Sequence, residues 1–188
     1  MNRYIAIVLS GFCLAACFGG VAMAAKGSAT AMTVADASGN LHVPDNYRTN
    51  YQYLGAWSIA ADKGQAGAAQ IHDVYASPGA VEGYKKLGHF PDGTVLVKEV
   101  YEATTAPMTT GTVSRVEKLK GWFVMVKAST NPHPDSKLWG DGWGWSWFDA
   151  GQTTKTTTKD YKSECLGCHV PAKSTDWLYV QGYPVLKE

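Results

Sequence analysis

The hydrophobic period changes twice along the chain. A nearly unbroken apolar run extends from Tyr4 to about Ala25, and residues 25–40 are small and polar. From Leu41 onward, short segments place large apolar residues at every second position, the period of a half-buried strand. This pattern predicts strands over Tyr51 to Trp57, Gln70 to Tyr75 (QIHDVY), Thr94 to Tyr101 (TVLVKEVY), Trp122 to Lys127 (WFVMVK) and Gly142 to Phe148 (GWGWSWF). The third is the densest in β-branched residues, which favour strands. Turn chemistry falls between them, at Pro44-Asp45-Asn46 and Pro91-Asp92-Gly93. Loops are predicted at the Gly-rich stretch Ala61 to Ala68, at the Thr/Gly/Pro stretch Ala103 to Gly111, and at Asn131 to Asp135. Ser77-Pro78 offers a helix start, with Ser77 as N-cap and Pro78 in the first helical position, running through Val81, Tyr84 and Leu87 to about Gly88. A second short helix is expected near Cys165. Strands first, with helices in the middle and at the end, predict an α+β fold built on an antiparallel β-sheet.

Alternation also sorts side chains onto faces. Trp143, Trp145 and Trp147 share one face of their strand, and Gly142, Gly144 and Ser146 share the other. Three indoles make a wall for a flat cofactor, a core or a dimer face, with Trp145 at its centre. Glycines in a strand mark a close approach by another group. Lys98 shares a face with Leu96 and Val100, and Glu99 shares the opposite one with Val95 and Val97. Period two does not say which of these charges points inward.

The formal net charge of +1 gives no electrostatic case for a nucleic-acid partner or a membrane surface. Met1-Asn2-Arg3, the apolar run and Ala22-Met23-Ala24 read as a secretory signal peptide over residues 1–24. Residues 25–40 are then a flexible start and 41–188 a single domain. Leu14-Ala15-Ala16-Cys17 resembles a lipoprotein box and supplies a competing address, a lipid anchor through Cys17. The run is also near the roughly 20 residues that span a bilayer. Phe18-Gly19-Gly20-Val21 is not the polar sequence that usually follows a lipidated cysteine, so cleavage after Ala24 and a periplasmic protein are expected.

Cys165-Leu166-Gly167-Cys168-His169 carries the chemistry. C-x-x-C-H is the attachment signature of a c-type haem. Two thiols add to the two vinyl groups on one porphyrin edge, so they must lie within about a helical turn of each other. The adjacent His169 can then supply an imidazole nitrogen to the iron. The competing readings are a redox dithiol, half of a zinc site and a short disulfide. A structural zinc needs four ligands, and the processed chain has no second cysteine pair. Thioredoxin-like dithiols follow a βαβ pattern, which is lacking before Cys165.

Together these pieces resemble the cytochrome P460 family. Phe90-Pro91-Asp92-Gly93-Thr94-Val95-Leu96-Val97-Lys98-Glu99, the aromatic strand at 142–148, the late haem motif and Tyr183-Pro184-Val185-Leu186 run in the family's order from about Leu41. The resemblance implies a cytochrome P460-like sheet with a few helices, a homodimer, and a haem c iron held by His169 alone. In the family's enzymes a lysine is also bonded to the porphyrin, and the matching position is Lys98. Those enzymes oxidise hydroxylamine and family members handle nitric oxide, so these small nitrogen species and a periplasmic electron acceptor are the implied partners. The related cytochromes c′-beta lack the cross-link and bind nitric oxide in a pocket capped by phenylalanines. A plain electron-transfer cytochrome is a further alternative.

Two more residues carry expectations. His72 stands where the resemblance implies an arginine over the distal haem face. A histidine there could ligate iron, relay protons near neutral pH or hydrogen-bond within the sheet. Asp160, nine residues before His169, stands near where the resemblance implies a distal proton relay; the plainer reading is a helix N-cap or first-turn acid. His89 and His133 read as surface residues. Met125 reads as core, although it and Met108 could in principle be axial ligands.

Overall fold

The computed structural model describes residues 34–187 apart from Lys63. The expected signal peptide, the Ala24 and Cys17 processing sites and residues 25–33 lie outside that range. Strands β1 (Gln52–Ala60), β2 (Ala68–Ala76), β3 (Val95–Met108), β4 (Gly111–Lys127), β5 (Trp139–Gly140) and β6 (Trp143–Asp149) form a sheet in the order β1-β2-β3-β4-β6-β5. Every neighbouring pair is antiparallel. The helices are short: α1 (Tyr47–Asn50), α2 (Ala80–Leu87), α3 (Tyr161–Glu164) and α4 (Leu166–His169). Three 3₁₀ turns, Val170–Thr175, Val180–Gly182 and Pro184–Leu186, finish the chain. This is the α+β architecture that the alternation predicts.

Three local expectations are corrected. The loop expected over Ala103 to Gly111 is strand almost to its end, because β3 continues to Met108 and β4 begins at Gly111. Thr104 and Thr105 are β-branched as well as polar. Pro107 is tolerated because β2 pairs with β3 only as far as Glu102, which leaves Pro107 on an edge. Ser77 is not the N-cap of α2. Its hydroxyl accepts from Val95 N at 2.9 Å and its amide donates to Val95 O at 2.8 Å, so it ties the chain to β3. The helix starts at Ala80, after Gly79 turns the backbone at φ 84°. Third, the flexible start does not extend over residues 34–40. Asp36 Oδ1 accepts from the amides of Ser38 and Asn40, an Asx turn, and Val34 is buried beside the Ala35–Leu41 bridge.

The sheet has a core on each face. On one, Val95, Val97, Val124, Val126 and Phe148 pack under the N-terminal segment of Val34, Leu41 and Val43. On the other, Leu96, Met125, Trp143 and Trp145 pack under α2 and the C-terminal segment of Tyr161, Trp177, Leu178 and Tyr183. Trp143 and Trp145 are each 1% exposed. At roughly 200 Å² per indole, each burial contributes about 5 kcal/mol as an upper estimate. Core packing therefore accounts for the burial of two of the three indoles. The third, Trp147, is half-buried against Phe123. The glycine face also has its explanation: a Cβ on Gly144 would lie 2.9 Å from the Trp139 ring, so the closely approaching group is the neighbouring strand β5.

Candidate functional site

Register sets the inner wall of the site. Directly opposed residues of an antiparallel sheet share a face. One row runs Val74–Lys98–Phe123–Trp147 across β2, β3, β4 and β6. The row beside it runs Ala76–Leu96–Met125–Trp145, and on the other side Trp57–His72–Val100. The C-terminal segment folds over this face and leaves a cavity of about 520 Å³, within the usual range for ligand pockets. Lys98, His72, Trp145, Cys165, Cys168 and His169 all line it. Residues from three strands and from the chain's end thus meet in one chamber with mostly apolar walls.

Lys98 presents its amine to this chamber, 4.4 Å from the centroid of the Phe123 ring. Burial holds its pKa below the ordinary lysine value, opposed only by the nearby cysteine sulfurs. Glu99, 2% exposed, is on the far side of the sheet. It accepts from Tyr47 Oη, from Arg48 Nε at 2.6 Å and from Tyr101 Oη at 3.1 Å. Both charges of the Lys-Glu pair are therefore inward, one on each face.

His169 sits at the end of α4. Its Nδ1–H donates to the carbonyl of Trp177 at 2.6 Å, which leaves Nε2 as the free ring nitrogen. Burial pushes its pKa down, so the imidazole stays neutral, the form that can ligate a metal. The Trp145 indole meets it edge-on, 5.0 Å between centroids. Carbonyl bonds of this type fix a ligating histidine's tautomer and ring orientation. Cys165 is buried and its thiol is pushed up to about 11, first by burial and then by Glu164, whereas Cys168 is exposed.

His72 lines the cavity with Nε2 2.9 Å from Gln70 Oε1, a hydrogen bond within its own strand. Burial and then the charge of Lys98 lower its pKa to about 4. Asp160 stands outside the cavity lining: its Oδ1 accepts from Lys162 N at 3.0 Å and caps α3. The carboxylate that does line the cavity is Glu164, at the end of that helix. Its Oε1 accepts from the amides of Lys159 and Asp160. Glu164 directly precedes Cys165, and this adjacency was the available signal for it. Phe123 was also legible, since it alternates with Met125 on the WFVMVK strand. Trp57 and Tyr179 line the cavity through tertiary folding alone. Met125 fills the core and also lines the cavity, whereas Met108 is exposed beside the β3–β4 turn. His133 packs on Trp139, and among the described residues no group of three or more His, Cys, Asp or Glu could hold a metal ion.

The sequence from residue 44 to residue 180 matches the cytochrome P460 family. The chain belongs to the cytochrome P460 family. Among curated proteins, none matches the chain. Cytochrome P460 proteins carry haem, and the chamber fits one on its own merits. Its walls are apolar, two thiols from one turn of chain line it beside a neutral imidazole, and that imidazole's second nitrogen is already committed to a carbonyl.

Proposed function

We propose that this cytochrome P460 is a hydroxylamine-oxidising enzyme with a haem c held through thioethers to Cys165 and Cys168 and through iron ligation by His169. The observation that carries the reading is Lys98, an amine held, among the described residues, without a salt-bridged carboxylate, in the same chamber as the C-x-x-C-H motif. Burial favours the uncharged amine, and a neutral amine is a competent nucleophile. Lys98 is thus prepared to bond to an oxidised porphyrin edge. When bound, the haem supplies the redox centre that accepts electrons from the N–O substrate. The chain supplies the rest. Trp177 fixes the His169 imidazole, which would hold the iron. Phe123, Trp57 and Trp145 exclude bulk water. His72 remains neutral and offers a hydrogen bond to a small polar guest. Glu164, at the exposed rim, is placed to take protons toward solvent.

The protein acts as a periplasmic homodimer after removal of residues 1–24, and passes electrons to a periplasmic acceptor. Steady-state hydroxylamine oxidation with an artificial electron acceptor tests the activity, and peptide mapping tests the Lys98 bond. Lys98→Met should retain covalent haem by intact mass while losing the red-shifted Soret band and at least about 100-fold in turnover. Wild-type protein with full haem and no turnover would leave the second reading, nitric oxide binding of the cytochrome c′-beta kind. The Phe123 ring beside the Lys98 amine favours that reading, because it narrows the chamber for a diatomic guest.

A further inference from the structure

The segment that orients His169 contains two consecutive non-glycine residues with positive φ, Asp176 at 58° and Trp177 at 69°. A bulky residue in the left-handed region is an outlier, and it persists where the surroundings over-determine it. The carbonyl of this Trp177 is the acceptor for His169 Nδ1. The turn is held from below by a buried ion pair. Lys127 Nζ lies 2.5 Å from Asp176 Oδ1, and the two side chains are only 8% and 9% exposed. Asp176 Oδ2 accepts from Phe90 N at 2.8 Å, and Lys127 Nζ lies 4.9 Å from the Trp143 ring centroid. The carboxylate is thus clamped between the end of β4 and the loop before β3, two points anchored to the sheet. A buried ion pair is a poor source of net stability. Its position is better explained by what it fixes.

We propose that Lys127 and Asp176 are positioning residues for the axial ligand: by clamping the 176–177 turn they set the Trp177 carbonyl against His169 Nδ1 and so tune the imidazole's basicity toward iron. This rests on the haem reading above. It adds that ligand strength is set from a pair outside the lining of the chamber. Asp176→Asn keeps a residue that tolerates positive φ but removes the charge, and Lys127→Met keeps the stem and removes its partner.

Resonance Raman of the ferrous haem protein reads the iron–imidazole stretch directly, and a redox titration reads the midpoint potential. In both variants the stretch should move to lower frequency and the potential should rise, because a weakened N–H···O=C bond makes the imidazole a poorer donor. Lys127→Arg, which keeps the charge, should restore both toward wild type. An unchanged stretch and potential in haem-loaded Asp176→Asn and Lys127→Met would overturn the proposal. So would loss of haem in both variants that Lys127→Arg does not avoid, since the pair would then be merely structural. A wild-type protein with haem but no iron–imidazole band would instead overturn the His169 reading, and this proposal with it.

Discussion

Glu99→Gln tests whether the far face of the sheet is held by the Glu99 cluster. Glutamine matches the shape of the carboxylate but replaces one oxygen with a donor. The residue now accepts from Tyr47, Arg48 and Tyr101 and is 2% exposed. Every neighbour on this network is a donor, so a glutamine NH₂ must face another N–H or O–H. Hydrogen bonds to a charged group contribute about 1.5–3 kcal/mol and neutral ones about 0.5–1.5. Neutralising the acceptor therefore costs about 1 kcal/mol per bond. The Arg48 side chain is 54% exposed, so its share is discounted to at most about 1 kcal/mol. Tyr47 cannot make up its loss by turning, because its hydroxyl also accepts from Trp122 Nε1 at 2.8 Å. The expected total is about 2–4 kcal/mol. For a chain of this size that is a fall in melting temperature of about 5–15 °C.

Far-ultraviolet circular dichroism melts of the haem-loaded protein measure this loss, and Tyr47→Phe should account for about 1 kcal/mol of it. The iron–imidazole stretch should not move, because the cluster and the chamber lie on opposite faces of β3. A melting point within about 3 °C of wild type would refute the reasoning, since it would mean less than about 1 kcal/mol of net stabilisation.

Other predictions concern the chamber and its frame. His72 is held at about pKa 4, below its ordinary value. Between pH 6.5 and 4 the unfolded chain therefore binds a proton that the folded chain does not. Stability should fall through that window by about 1–3 kcal/mol, and urea melts at pH 7.5 and 4.5 should show a smaller fall in His72→Gln; equal slopes would sink this account. Asp160→Ala removes an N-cap and should cost about 1 kcal/mol without changing hydroxylamine turnover. Glu164→Gln should do the reverse, lowering turnover and shifting its pH profile; equal kinetics in the two variants would remove Glu164 from the proton route. Gly144→Ala drives a methyl to 2.9 Å from the Trp139 ring and should destabilise by about 1–3 kcal/mol, and a wild-type melting curve would contradict it.

Period two identified the strands at 70–75, 95–101, 122–127 and 143–148, because each buries one or both faces. It failed where strand residues are polar. Thr104, Thr105 and Thr112 pair across the β3–β4 arm, which among the described residues lies outside both core clusters and so carries no apolar period. The helix start was misplaced because Ser77 and Pro78 have the right chemistry for a cap, while a long-range bond to Val95 engaged the serine first. At the site, C-x-x-C-H was legible because its spacing is the attachment signature of a c-type haem. The 176–177 turn was not. Asp176 ends the 170–175 3₁₀ turn in the left-handed region, which an aspartate tolerates, but nothing in the chemistry of Trp177 asks for positive φ, and Lys127 and Phe90, 49 and 86 residues from Asp176, hold the turn from a distance.

Lys98 and Glu99 show why adjacency in sequence says so little about a sheet. One residue of offset places them in two different solvents. Glu99 lies among hydroxyls and a guanidinium, where a charge is stabilised by hydrogen bonds. Lys98 lies beside a phenyl ring and an apolar chamber, where burial lowers its pKa. The same strand therefore surrounds one side chain with hydrogen-bond donors and disfavours the charged form of the other. A slip of one residue in β3 would exchange them, placing a carboxylate in the chamber and an amine in the Tyr47–Arg48 cluster. The Glu99 cluster opposes that slip, since an ammonium cannot accept from Tyr47, Arg48 or Tyr101. The placement of the amine on one face is thus secured by the hydrogen bonds made on the other.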